Sequence, residues 1–274
     1  MKGNILTLSF LLTVNLIYGQ SGTDSREMQE TDWQSRTISE GITLKSALTN
    51  LFNSAQAIYV VEIDTAGGVF EFGVAVAGPP LVTSAFAVQE KAMVAVNATF
   101  FNMKEGYNVH YVKVNDSIVA TTDEKEFGIR ATGLFTAEGE EADISLWGPE
   151  REDAGIISSE DAIVSGPLLI DDRVDQPLDS INFNTNRHPR TMVGITGNGR
   201  LLLVVVDGRQ PGYADGMSLF ELRTLAHSLG CTDALNLDGG GSTTLVIAGQ
   251  GSNGVVNRPS GKVERPVPSI LFVR

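Results

Sequence analysis

The spacing of apolar residues in the last third of this chain predicts β-strands. Leu201–Val206 is continuously apolar, which is typical of a strand buried on both faces. Residues 192–196 are also rich in apolar side chains, and the segment 197–199, Gly-Asn-Gly, separates the two runs. This pattern predicts a hairpin that turns at the two glycines.

A helix is predicted over residues 218–229, where leucine and alanine recur at helical spacing. Ser218 and Glu221 have the spacing of a capping box, and Gly230 is a typical stop signal. Residues 234–238 then alternate between apolar and polar, as a strand does. Strand, helix and strand in this order predict a crossover unit with two parallel strands.

Earlier segments carry hairpin signals. Residues 58–63 and 69–76 are predicted to pair around a Thr-Ala-Gly-Gly turn, and residues 109–114 to pair with Ser117–Ala120. A short helix is predicted over 84–91, with Thr83 or Ser84 as its N-cap. Because hairpins outnumber crossovers, the fold class is predicted to be α+β, with mixed, mainly antiparallel sheets and a few packed helices in a single domain.

The N-terminus predicts export. Lys2 precedes an apolar stretch over residues 5–17, and Tyr18-Gly19-Gln20 follows with a small residue suited to cleavage. We therefore expect a signal peptide at 1–19, a flexible mature N-terminus at 20–35 and the domain at 36–274. The expected location is periplasmic or extracellular, with no integral membrane segment after signal removal, because no later apolar run approaches the about 18 residues that span a bilayer.

The composition is that of a globular protein with an acidic balance. The formal net charge is -13, which argues against nucleic acid as a partner. An anionic substrate would therefore need local cations and backbone amides. Cys231 is the single cysteine of the chain, so no internal disulfide can form.

Two aspartates follow predicted strands. Asp207 comes directly after Leu201–Val206, and Asp238 precedes three glycines and Ser242. If the crossover prediction holds, both carboxylates lie at the same edge of a sheet, where open sheets collect ligand groups. Asn236 shares the polar face of its strand with Asp238.

Basic and polar candidates lie nearby in the sequence. His188, Arg190 and Thr191 belong to one basic stretch, and Arg209 follows Asp207 by two residues. Asn97 ends another apolar strand, ahead of two phenylalanines. A serine-hydrolase elbow and a nucleotide P-loop are both missing, and the three histidines lack metal-ligand spacing.

Five motifs together resemble the phosphodiester glycosidase family, in the family's order and over roughly residues 55–274. They are Asn97-Ala-Thr-Phe-Phe, Ser165-Gly-Pro-Leu-Leu, Arg190-Thr-Met-Val-Gly, Val206-Asp-Gly-Arg209 and Asn236-Leu-Asp-Gly-Gly-Gly-Ser242. The segments Asn257-Arg-Pro-Ser and Glu264-Arg265-Pro-Val also resemble its C-terminal pattern. The family often has Asn-Gly before the two aromatics, where this chain has Ala98-Thr99, which could alter the substrate pocket there. The resemblance implies a hydrolase that releases a sugar from a sugar-1-phosphate diester of a glycan or polysaccharide.

The residues suit that chemistry. A phosphate monoester is a better leaving group than a sugar alcohol, so an arginine could replace much of the general acid of an ordinary glycosidase. Arg190 is the first candidate for the phosphate and Arg209 the second, with the amides of Gly240, Gly241 and Ser242 as further donors. Asp238 or Asp207 would act as base or nucleophile. Asn97 and Asn236 would hold sugar hydroxyls or an acetamido group, and His188 and Thr191 complete the expected substrate-binding set.

Two alternatives remain open. The chain could be a non-catalytic carbohydrate- or polymer-binding module on the same scaffold. It could also be a divalent-metal-dependent phosphodiesterase, with Ca²⁺ or Mg²⁺ held by Asp207 and Asp238. The primary prediction requires no metal and no cofactor.

Overall fold

A computed structural model describes residues 28, 30–65, 69–153, 155–251 and 253–274. Within these ranges the strands are β1 Gln34–Ser39, β2 Ile42–Leu51, β3 Ser54–Ile63, β4 Phe72–Leu81, β5 Val94–Asn97, β6 Val112–Val114, β7 Ser117–Ala120, β8 Gly133–Glu138, β9 Glu141–Leu146, β10 Asp161–Ser165, β11 Leu168–Asp171, β12 Val174–Asp175, β13 Arg190–Thr196, β14 Leu201–Val206, β15 Cys231–Asn236, β16 Leu245–Ile247 and β17 Val267–Val273. The helices are α1 Thr83–Gln89, α2 Pro149–Asp153, α3 Asn182–Thr185 and α4 Leu219–Ser228, with 3₁₀ turns at Glu124–Glu126 and Gly240–Ser242.

The strands form three sheets in which the neighbours pair antiparallel. The largest has eight strands in the order β1-β2-β3-β14-β13-β15-β11-β12. A five-stranded sheet has the order β7-β6-β10-β8-β9, and a four-stranded sheet the order β16-β5-β17-β4. The predicted α+β class with mainly antiparallel sheets is confirmed.

One hydrophobic core joins the three sheets, and it explains the apolar run of β14. Leu203 and Val205 point into this shared core, whereas Val204 and Val206 point to the opposite face, under α4. Both faces of β14 are therefore buried, as its run of apolar residues predicts. Helix α1 covers the outer face of the four-stranded sheet. Because all three sheets contribute to the same core, the chain forms a single domain.

The capping box of α4 is confirmed. Ser218 Oγ accepts a hydrogen bond from the Glu221 N–H, and the Glu221 carboxylate accepts one from the Ser218 N–H. The N-cap prediction for α1 is wrong. Its N-cap is Val82, without a side-chain cap, because the Ser84 hydroxyl and N–H donate to the Glu264 carboxylate instead, at 2.6 and 2.9 Å.

The predicted hairpin of 58–63 with 69–76 is wrong. Strand β3 pairs with β2 and β14, whereas β4 pairs with β17 in another sheet. The partner of β4 lies nearly two hundred residues away in sequence, so local turn signals could not identify it. The hairpin of β6 and β7, by contrast, is confirmed.

The crossover unit brings the candidate residues to one sheet edge. Strands β14 and β15 run in the same direction, and β13 lies antiparallel between them. Arg190 pairs with Val206, and Met192 pairs with Asn236. The end of β14, the start of β13 and the end of β15 therefore meet at the same edge.

The predicted signal peptide lies outside the described residues. Strand β1 begins at Gln34, within the segment predicted to be flexible, and Trp33 packs against the cluster under α4. In the described ranges, no helix is long and apolar enough to cross a membrane.

Candidate active site

A cavity of about 260 Å³ opens at this sheet edge. Phe100, Phe101, Met103 and Phe183 form its apolar wall, and Gly239–Gly241 form part of its rim. Its polar lining consists of Arg130, Arg190, Arg209, Arg265, His188 and Asp238. Among the described residues, Asp238 is therefore the single carboxylate that lines a cavity with four guanidinium groups.

Asp238 is held firmly at the end of β15. Its N–H donates to the Ala98 carbonyl at 2.9 Å, and its carbonyl accepts from Asn97 Nδ2 at 2.6 Å. The Gly239 N–H donates to Asp238 Oδ1 at 2.9 Å. Burial raises the pKa of the Asp238 carboxyl to about 6, although the Ser242 hydroxyl and the Arg265 guanidinium oppose that shift. This carboxyl is thus ionised at neutral pH and poised to exchange a proton.

Arg190 forms the floor of the cavity and is only 2% exposed. Its Nε donates to the Met217 carbonyl at 2.8 Å, and its Nη2 donates to the carbonyls of Phe183 and Asn186 at 2.8 and 3.0 Å. In the described part of the chain, Nη1 has no hydrogen-bond partner, and no carboxylate lies within 4.0 Å of the guanidinium. Burial lowers the pKa of Arg190 to about 9, so it remains a cation at neutral pH.

The absence of side chains at Gly240 and Gly241 leaves space for the guanidinium groups of Arg209 and Arg265. A Cβ atom on Gly240 would lie 3.1 Å from Arg209 Nη1, and one on Gly241 would overlap the Arg265 guanidinium. A Cβ on Gly239 would lie 2.6 Å from the Pro189 carbonyl oxygen, which is fixed backbone. The glycines therefore allow close approach of the protein's own cations and backbone.

His188 is the partner of Arg209. Its Nδ1 lies 3.1 Å from Arg209 Nη2. Burial lowers the pKa of His188 to about 4, helped by the charges of Arg190 and Arg209. The ring is therefore neutral at pH 7, and its Nδ1 can accept a hydrogen bond from the guanidinium.

Arg130 was missed by the sequence analysis. The Glu126 carboxylate accepts two hydrogen bonds from Arg130, at 2.7 and 2.6 Å, and the guanidinium lies 5.0 Å from the centre of the Phe100 ring. Glu126 is itself buried, with an oxygen 3.5 Å from Nε2 of the buried His110. The His110 contact and the Arg130 pair lower the pKa of Glu126 to about 2. Arg130 comes from an acidic stretch with no motif, so no local signal marked it.

Arg265 and Phe183 complete the cavity from distant parts of the chain. Arg265 belongs to the C-terminal segment whose pattern resembled the family, but no role was assigned to it. Phe183 lies in α3, in a polar segment, and its ring lies 5.3 Å from the Arg190 guanidinium. Because the residues around Phe183 in the sequence are polar, no apolar pattern marks it as part of the site.

Asp207 does not line the cavity, contrary to the expected shared site. It is 1% exposed, and its Oδ1 accepts from Asn257 Nδ2 at 2.8 Å. Its Oδ2 accepts from the Arg258 N–H at 2.9 Å and from the Tyr213 hydroxyl at 3.2 Å. Burial raises its pKa to about 6, with these donors opposing the shift. Asp207 therefore fastens the loop that begins at Asn257.

Asn97, Thr191, Asn236 and Ser242 are also buried rather than exposed to the cavity. Thr191 Oγ1 donates to Asn97 Oδ1 at 2.8 Å, and Asn236 Nδ2 donates to the Gly166 carbonyl at 2.7 Å. These side chains tie together the backbone that carries Asp238. In the described ranges, no group of three or more His, Cys, Asp or Glu side chains has the arrangement of a metal site.

Solved structures from three organisms share this fold. The catalytic domain of zebrafish N-acetylglucosamine-1-phosphodiester alpha-N-acetylglucosaminidase, auto-inhibited by its pro-peptide, has a TM-score of 0.68 at 17% identity, covering 89% of this chain and 87% of that one. A hypothetical protein from Synechocystis has a TM-score of 0.66 at 17% identity, covering 88% of this chain and 63% of that one. A putative exported protein from Burkholderia pseudomallei has a TM-score of 0.53 at 15% identity, covering 83% and 75%.

The sequence itself shows the relationship. The SPbeta prophage-derived uncharacterized protein YomE of Bacillus subtilis (strain 168) is 27% identical over 197 residues, which is 68% of this chain. This chain matches only 28% of that relative's length. A sequence model of the phosphodiester glycosidase family matches residues 90–274, which include Arg130, Asp238 and Arg265. The chain belongs to the phosphodiester glycosidase family.

Proposed function

We propose that this chain is an exported hydrolase that releases a sugar from a sugar-1-phosphate diester, with a phosphorylated glycan or polysaccharide as its substrate. The observation that carries the proposal is a cavity in which a carboxylate with a raised pKa faces four guanidinium groups. The family membership supports the reaction class, and the name of the zebrafish relative describes the same kind of linkage.

In this proposal Arg190 binds the phosphate. Its Nη1 lacks a protein partner in the described chain, and its other donors are fixed on backbone carbonyls. A guanidinium held in this way offers charge-assisted hydrogen bonds with little loss of side-chain freedom on binding. It stabilises the negative charge that the departing phosphate gains as the sugar–oxygen bond breaks.

Asp238 acts on the sugar side of that bond, either as the nucleophile or as the base that activates water. Ordinary glycosidases use two carboxylates, one of which protonates the leaving alcohol. A phosphate leaving group bound by arginine needs less of that protonation. A single cavity carboxylate therefore suffices, and its negative charge also stabilises a cationic sugar-like transition state. We assign Asn97, Thr191 and Asn236 to positioning Asp238 rather than to contacting the sugar.

The test is sugar release from a defined sugar-1-phosphate diester, with Arg190→Lys and Arg187→Lys compared. Lysine keeps the charge at position 190 but loses the fork geometry, so we expect kcat/KM to fall about 100-fold. Arg187 is the matched control, because it donates to Glu221 and to the Phe52 carbonyl and does not line the cavity. Its substitution should change kcat/KM by less than about threefold, within the range of a residue that touches no substrate.

Three outcomes would contradict the proposal. Folded wild-type protein that releases no sugar would remove its main support. Tight glycan binding without turnover would favour the binding-module alternative. Loss of activity on adding a chelator, restored by Ca²⁺ or Mg²⁺, would favour the metal-dependent phosphodiesterase.

A further inference from the structure

The cavity carries more positive charge than a phosphodiester can neutralise. Four guanidinium groups face it, and they are matched by Asp238 and by Glu126, which pairs with Arg130. Two positive charges remain. A phosphodiester group supplies one negative charge, so one cation would stay unmatched in the bound complex.

This surplus is unusual for the molecule. The formal net charge of the chain is -13, and four arginines outside the cavity form ion pairs with carboxylates, namely Arg187, Arg200, Arg223 and Arg274. By contrast, Arg209 and Arg265 have no carboxylate within 4.0 Å among the described residues. For Arg265, those residues provide no hydrogen-bond partner either.

These two arginines approach adjacent glycines of the run 239–241. The Arg209 guanidinium rests against Gly240, and the Arg265 guanidinium rests against Gly241. Arg209 is exposed at the cavity rim and has a φ of 57°, a left-handed conformation that is costly for a residue with a side chain.

The Arg209 side chain is held in place before any substrate binds, and the residue before Arg265 is anchored. The Arg209 N–H donates to the Asp215 carbonyl at 3.2 Å, and its guanidinium contacts His188. Arg265 directly follows Glu264, whose carboxylate accepts from Ser84. A preorganised cation and a second cation without a hydrogen-bond partner among the described residues line the same cavity, and together they form a site for an anion.

We propose that Arg209 and Arg265 form a second anion subsite beside the scissile phosphate, and that the substrate carries a second anionic group, a carboxylate or a phosphate, in its aglycone. The inference rests on the proposed function, because it assigns the scissile phosphate to Arg190. The second anion neutralises the remaining positive charge. It also explains why the glycines leave room for two guanidinium groups.

The test uses three sugar-1-phosphate diesters with aglycones of equal length that end in a hydroxyl, a carboxylate or a phosphate. We expect kcat/KM for the anionic aglycones to exceed that for the hydroxyl aglycone by roughly 10-fold to 100-fold, as charge-assisted hydrogen bonds would give. The carboxylate and phosphate arms show which anion is preferred. Raising the salt concentration should reduce this preference.

Substitutions at the two arginines test whether they cause the preference for anionic aglycones. Arg209→Gln and Arg265→Gln should each reduce the ratio between anionic and neutral substrates towards one. Arg36→Gln is the control, because it removes the same charge from the exposed strand β1. It should leave the ratio unchanged.

The experiment distinguishes failure of the second anion subsite from failure of the proposed function. Cleavage of all three diesters at equal kcat/KM would overturn the second subsite and leave the proposed function standing. If no diester is cleaved, calorimetry with the Asp238→Asn protein still compares binding of the three compounds. Equal affinity for all three would overturn the subsite, and tighter binding of the anionic compounds that is lost in Arg209→Gln would support it.

Discussion

Two aspartates at one sheet edge share an Asp-Gly dipeptide but have different surroundings. Asp207 follows β14 and Asp238 follows β15, each aspartate precedes a glycine, and the two strands run in the same direction. Burial raises the pKa of both carboxyls to about 6. Yet Asp207 accepts hydrogen bonds from Asn257, Arg258 and Tyr213 outside the cavity, whereas Asp238 faces four guanidinium groups inside it.

The difference shows that a perturbed pKa alone does not identify the reactive group. What separates the two carboxyls is the number of protein donors that already use their oxygens. Asp207 has both oxygens engaged and stabilises a loop. Asp238 accepts a backbone hydrogen bond from the Gly239 N–H, is influenced by the Ser242 hydroxyl, and faces the cavity, where a substrate can reach it.

The largest effect that separates the two aspartates is expected from Asp238→Asn. Removal of a nucleophile or base should lower kcat on a sugar-1-phosphate diester on the order of 1,000-fold or more. Stability should not fall, because the substitution removes a buried charge. The measurements are kcat and chemical denaturation at pH 8, and a rate within tenfold of wild type would place the reactive carboxylate elsewhere.

Asp207→Ala is expected to have a smaller effect, and to lower stability rather than turnover. Three donors lose their acceptor, so the free energy of unfolding should fall by about 1–3 kcal/mol. The measurement is best made at about pH 3.5, below the ordinary aspartate pKa of 3.8, where the raised native pKa no longer affects stability. Turnover per folded molecule should fall less than about tenfold, since no substrate contact is removed. A 1,000-fold loss with normal stability would make Asp207 the reactive group.

The dependence of activity on pH is expected to be smaller than the effect of Asp238→Asn. If ionised Asp238 is required, kcat/KM should rise about tenfold between pH 5 and 7, with its midpoint near 6. The Asp207→Ala variant should keep this profile. His188, whose pKa is lowered to about 4, stays neutral across the range and adds no second limb. A flat profile would contradict the assignment to Asp238.

The free energy of unfolding is expected to fall as the pH rises, whereas the activity is expected to increase. The native Asp238 carboxyl binds its proton up to about pH 6, above the ordinary value of 3.8, so the native state holds more protons than the unfolded state between these values. Wild-type stability therefore falls as the pH rises through this window. Relative to wild type, Asp238→Asn should gain up to about 3 kcal/mol above pH 6 and nothing below pH 4.

Local patterns predicted much of the fold but not the pairing of distant strands. The apolar run of β14 and the capping box of α4 are properties of neighbouring residues, and both are confirmed. The pairing of β4 with β17 depends on contacts across the chain, so the local sequence after β3 wrongly predicted a hairpin.

Some residues of the candidate site could likewise be predicted from local sequence, and others could not. Asp238 and Arg190 were predicted from strand ends and a family resemblance, and the structure places both in the cavity. Arg130 lies in an acidic stretch without a motif, and Asp207 was grouped with Asp238 because its loop partners, Asn257 and Arg258, lie about fifty residues further along. The sequence shows which groups follow strands, whereas the later loops decide which of them remain open to a ligand.

The central claim is that this cavity breaks the bond between the sugar carbon and the phosphate oxygen. Hydrolysis of a sugar-1-phosphate diester in ¹⁸O-labelled water, with mass analysis of both products, tests it most directly. Attack directed by Asp238 at the sugar predicts that the label enters the released sugar and not the phosphate. Label in the phosphate would show cleavage of the phosphorus–oxygen bond and would contradict the account.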